Sequence, residues 1–153
     1  MPPRGADPAH MLAMAAHVQG RVHALNVTDG SRAVMRMSSV AACKLLIEAG
    51  AEPVLQLACR DRNRIALQAD LLGAHALGIR NLLCLTGDPV RSGDQPLARP
   101  VNEFESVKLL QQVEALNRGE DPVKGSLPDG ATALFPGCAA DPHSRSWSGL
   151  QRR

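Results

Sequence analysis

Val54-Leu55-Gln56-Leu57-Ala58-Cys59-Arg60-Asp61-Arg62-Asn63, a helical stretch closing at Gly78, and then Leu82-Leu83-Cys84-Leu85 are the residues that decide the fold. An apolar run, a polar loop, a helix and a second apolar run form one strand–helix–strand unit. Inside the helix, Ile65, Ala69, Leu72 and Ala76 recur at helical spacing and predict its apolar stripe. Upstream the pattern repeats. Val22 to Val27 reads as a strand bounded by Thr28-Asp29-Gly30. Val40, Cys43, Leu46 and Ile47 then mark a helix that Ser38 or Ser39 can cap and Gly50 stops. Before it, Asp7-Pro8 opens a helix through Leu12, Ala15 and Ala16 that ends near Gly20.

Downstream, Thr86-Gly87-Asp88-Pro89 closes the third strand, and Val107, Leu110 and Val113 mark a fourth helix. Thr132 to Phe135 is the expected last strand, ahead of Pro136-Gly137. The first three strands recur about every thirty residues, the period of a parallel βαβ unit. They are continuous apolar runs with little alternation, as in sheets covered by helices. A doubly wound dinucleotide-binding sheet would carry G-x-G-x-x-G at its first turn, and the chain has none, which favours a barrel-type arrangement. The predicted architecture is α/β, in the order α-β-α-β-α-β-α-β, within a single domain spanning 1–153.

Composition excludes several functions. A formal net charge of +2 is too small to mark nucleic acid or an anionic membrane as a partner. No apolar run reaches the roughly 20 residues of a membrane span, and no leader-like apolar segment follows Met1, so a soluble, cytoplasmic protein is expected. Cys43, Cys59, Cys84 and Cys138 lie far apart with no Cys-x-x-Cys pair, so buried free thiols are expected and no metal. His10, His17, His23, His75 and His143 share no motif.

Ligands of parallel α/β proteins gather where the strands end. Those ends carry Thr28-Asp29-Gly30, Cys59-Arg60-Asp61, Thr86-Gly87-Asp88 and Phe135-Pro136-Gly137. Asp88 is the sharpest candidate, a carboxylate between Gly87 and Pro89; its bland alternative is a turn-capping acceptor. Gly87 would let a flat ligand approach the backbone. Asp29-Gly30 reads more simply as a turn. Arg60, Arg62 and Arg64 could grip phosphate, although surface pairing is the commoner outcome. The long stretch Pro89 to Glu103 follows a strand and is expected to be a mobile substrate loop, whereas Gly119 to Gly130 reads as ordinary surface.

Taken in order, Ala24-Leu-Asn-Val-Thr-Asp-Gly-Ser-Arg, Arg36-Met-Ser-Ser, Leu55-Gln-Leu-Ala-Cys-Arg-Asp-Arg-Asn-Arg, Gly78-Ile-Arg-Asn and Leu85-Thr-Gly-Asp-Pro resemble the methylenetetrahydrofolate reductase family, from Pro2 to about Pro142. The resemblance implies a (β/α)8 TIM barrel that binds FAD at the carboxyl ends of its strands. It implies reduction of 5,10-methylenetetrahydrofolate to 5-methyltetrahydrofolate, with NADH or NADPH as reductant and folate as substrate. By motif, Thr28, Gln56, Thr86, Gly87, Asp88 and Phe135 correspond to flavin-site positions, with Asp88 the catalytic carboxylate beside flavin and folate.

Against the family pattern, the glutamate that precedes the Pro-Pro pair is missing before Pro2-Pro3, and the chain stops at Arg153. About half of a barrel is therefore expected, since a whole one takes about 250 residues. Its open edges would favour a homo-oligomer or association with another chain. Thr86 also stands where some relatives carry arginine. A catalytically incompetent fragment, or a folate- or flavin-binding module that needs another chain, is the alternative; a barrel associated with a methyltransferase is a third.

Overall fold

The computed structural model describes residues 1–140. Helix α1 (Ala9–Val18) leads to β1 (Leu25–Val27), α2 (Ser39–Glu48), β2 (Pro53–Ala58), α3 (Arg64–Ala76) and β3 (Asn81–Leu85). Then follow α4 (Ser106–Asn117), a small hairpin of β4 (Glu120–Asp121) and β5 (Gly125–Ser126), and β6 (Phe135–Cys138). The order β1-β2-β3-β6 forms one parallel sheet. Its strands run in chain order with no reversal, whereas a doubly wound sheet reverses at its switch point.

Local chemistry sets the helix ends. The Asn63 side chain accepts the Ala66 amide at 3.0 Å, a cap worth about 1 kcal/mol. Gly50 and Gly78 follow α2 and α3 in the left-handed region, φ +80° and +91°, where a side chain would be strained. Asp7 accepts the Ala9 amide at 2.9 Å, and the helix starts one residue later than expected, with Pro8 as its N-cap. Ser38 takes the N-cap position of α2 without a side-chain bond, and Ser39 is fully buried.

A single core joins the sheet to its helices: Leu55, Leu57, Leu82 and Cys84 meet Leu46, Leu67, Leu71, Leu109 and Val113. The expected stripe on α3 is corrected. Leu67, Leu71 and Ala74 are buried, whereas Ile65 is 75% and Leu72 41% exposed, and Ala69 and Ala76 also face outward. Both sets have helical spacing, and the rotation of the helix against the sheet chooses between them. The expected lack of alternation is likewise corrected. Along β3 buried Leu82 and Cys84 alternate with partly exposed Asn81, Leu83 and Leu85, so one sheet face is covered and the other is not.

The first strand is shorter than the run Val22–Val27, because pairing with β2 begins at Leu25 opposite Pro53. The last strand is shifted by three residues, to Phe135–Cys138. Asn117 guides the chain into it: its side-chain oxygen accepts from the Thr132 hydroxyl at 2.6 Å and the Leu134 amide at 2.9 Å. The stretch from Gly119 to Gly130 is the small hairpin rather than plain loop. Among the described residues no helix is long and apolar enough to cross a membrane.

Candidate active site at the strand ends

The turns after β1, β2 and β3 converge on one rim of the sheet, and arginines hold them there. Asp29, expected as a mere turn residue, accepts the Ala58 amide at 2.9 Å and the Arg62 guanidinium at 2.5 and 3.3 Å. Arg62 also reaches Asp70 at 2.7 Å. Arg60 is 5% exposed and grips Asp61 with both sides of its fork, at 2.7 and 2.6 Å. Arg64 pairs with Glu103 at 3.6 Å and lies 5.3 Å over the Phe104 ring. Of the two readings of these three arginines, pairing is the one seen here. Their guanidinium groups already have carboxylate partners within the chain.

Asp88 differs from the other carboxylates of the rim. Asp29, Asp61 and Asp94 each touch an arginine, Asp94 through Arg4 at 2.7 Å. The Asp88 carboxylate accepts a hydrogen bond from the backbone amide of Arg32, at 2.6 Å. Arg32 and Ala33 that follow Ser31 hold φ of +57° and +55°, a strained conformation for residues other than glycine. Asp88 is exposed, so its charge faces the space beyond the rim.

That space is a hollow of about 210 Å³, lined by Asp29, Ser31, Gln56, Ala58, Thr86 and Asp88 among others. Neighbouring hollows of about 350 and 470 Å³ continue it on either side of Arg60. Gln56 donates to Asn26 at 3.4 Å on the uncovered sheet face. Sequence reading missed Asn26; its signal is a polar residue between Leu25 and Val27 in a strand. The Thr86 hydroxyl accepts the first amide of α4, from Ser106 at 3.2 Å, which leaves its own proton for a ligand. The Thr28 hydroxyl oxygen is buried and has no partner.

Gly87 lines the same hollow, and a further constraint makes it glycine. At φ +99° a Cβ would stand 2.8 Å from the Arg60 Cβ, so the constraint is conformation and packing. Phe135 is a correction. It opens β6 opposite Asn81, the first residue of β3, and therefore sits at the other rim, 76% exposed. The loop from Pro89 to Glu103 is tied down on both sides. Asp94 accepts the Met35 amide at 2.9 Å, which holds its carboxyl below the usual range, and Val101 donates to the Arg60 carbonyl at 2.7 Å.

Among the described residues no group of three His, Cys, Asp or Glu could hold a metal ion. His143 lies outside those residues. All four cysteines are free: Cys43, Cys59 and Cys84 are buried and Cys138 partly so. Burial pushes Cys43 and Cys84 up to about 12 and Cys59 to about 11. These thiols lie above their unfolded values, so the stability they contribute is present below about pH 9 and is lost as pH rises toward 11–12. Urea midpoints should fall between about pH 9 and about pH 11. A midpoint that stays level over that interval would contradict the burial of these three thiols.

Among curated proteins none matches the chain. The model of a known family does match, over residues 1–153, and its description is methylenetetrahydrofolate reductase. That match spans the whole chain, and the chain belongs to the methylenetetrahydrofolate reductase family.

Proposed function

We propose that the rim would hold FAD and that the chain's activity is reduction of 5,10-methylenetetrahydrofolate by NADH or NADPH. The family gives the coarser statement, an oxidoreductase acting on methylenetetrahydrofolate. The observation that carries the finer one is the Asp88 carboxylate, exposed over a hollow that Gln56 and Thr86 share and held by the Arg32 backbone amide. The residues fit such a cofactor. The buried Thr28 oxygen lacks a partner, and the Thr86 hydroxyl keeps a proton to donate. Leu85 and Ala58 supply apolar wall beside Thr86 in the hollow, whose lining does not include Thr28.

When bound, FAD supplies hydride chemistry that no side chain provides. Thr28, Gln56 and Thr86 would orient it through their polar atoms. Asp88 would hold negative charge where the folate enters, which favours the cationic iminium form of that substrate. A binding module that works with another chain is a second reading, favoured by the uncovered sheet face bearing Asn26, Gln56 and Leu83. Anaerobic spectroscopy separates the two. NADH or NADPH should bleach the visible band of the FAD-loaded chain, and methylenetetrahydrofolate should restore it. A bound flavin that neither nucleotide bleaches would leave the module reading.

A further inference from the structure

We propose that Arg60 is a positioning residue, whose guanidinium joins the loops after β1 and β3 and so sets where the Asp88 carboxylate stands. The inference rests on the flavin reading for its catalytic meaning, although its structural content is independent. A guanidinium that is 5% exposed needs its donors satisfied. Asp61, the next residue, takes two of them, and that pair alone would be a local matter. The third nitrogen, Nη1, does something else. It donates to the Gly30 carbonyl and to the Asp88 carbonyl, each at 3.3 Å, across sequence separations of 30 and 28.

The side chain also fills the room between these loops. A Cβ at Gly30 would stand 2.8 Å from Arg60 Nη2, and one at Gly87 would stand 2.8 Å from Arg60 Cβ. Two glycines in the left-handed region, at φ +53° and +99°, thus face the same arginine, one at its tip and one at its base. The backbone carbonyl of Arg60 accepts the Val101 amide at 2.7 Å, which brings in the loop that follows Asp88. The Arg32 amide then holds the Asp88 carboxylate at 2.6 Å. Arg62 lacks this reach, because its partners Asp29, Asp70 and Ala58 tie β1 only to β2 and α3. A planar fork suits the task and an ammonium does not, since it cannot meet Asp61 and two carbonyls in one plane.

Two measurements test this. In the flavin-free chain, Arg60→Met should speed hydrogen exchange at the Arg32 and Val101 amides at least about tenfold, with α2 and α3 amides unchanged. Arg60→Lys, which keeps charge and most of the length, should show the same local loss and serves if the Met variant does not fold. Unchanged exchange at Arg32 overturns the proposal. In the FAD-loaded chain, Asp88→Asn should raise the flavin midpoint potential, because an adjacent negative charge opposes reduction. The same substitution in the Arg60→Met background should move that potential much less; equal shifts in both backgrounds overturn the link to Asp88. A chain that binds no FAD overturns the flavin reading alone, and the Arg32 amide still decides the role of Arg60.

Discussion

Leu71→Ala is expected to destabilise the chain by about 3 kcal/mol, and Ile65→Ser by less than about 0.5 kcal/mol. Leu71 is fully buried on the sheet side of α3, and its loss leaves a cavity in the one core shared by α2, α3, α4 and the sheet. Ile65 lies six residues earlier on the same helix but is 75% exposed. Thermal unfolding followed by circular dichroism should show a drop of roughly 6–12 °C for the first and almost none for the second. Similar losses for both would mean that α3 is rotated relative to the sheet.

The second large effect concerns Asp88. In the FAD-loaded chain, Asp88→Asn should slow reoxidation by methylenetetrahydrofolate about a hundredfold, while reduction by the nicotinamide changes much less. The asymmetry follows from charge. A carboxylamide keeps the size and accepts the Arg32 amide as before, so the loop geometry described for the Asp88 carboxylate at 2.6 Å survives. What disappears is the negative charge that favours a cationic substrate. Stopped-flow traces of the two half-reactions measure this directly. Equal slowing of both would assign Asp88 to placing the flavin rather than to the folate step.

The βαβ period was plain in the sequence because each apolar run is separated by helical spacing and closed by Gly or Asp. Its details were not. On α3 an alanine-rich sequence carries two apolar stripes, and only packing against Leu55 and Leu57 selects Leu67 and Leu71. In β6, Pro136 and Gly137 read as strand breakers, yet β6 is at the edge of the sheet, where a missing amide can face away from the ladder. That shift of three residues is what sent Phe135 to the wrong rim. At the site, Thr28, Thr86 and Asp88 were legible from their places at strand ends, whereas Gln56, inside β2, came only from the family resemblance. The clasp from Asp29 to Arg62 spans 33 residues, and the span from Arg60 to Gly30 covers 30, so no local pattern announces either. Charged residues in polar loops look alike in sequence until the fold decides which are partnered inside.

The proposed activity requires a flavin to lie at one rim of the sheet. Amide shifts of the isotope-labelled chain, followed by nuclear magnetic resonance as FAD is added, test that most directly. Saturable changes should concentrate at Thr28 to Gly30, at Gln56 to Ala58 and at Thr86 to Asp88, with Asn81 and Phe135 at the other rim left still. Changes centred on Asn81 and Phe135, or none at all, would contradict it.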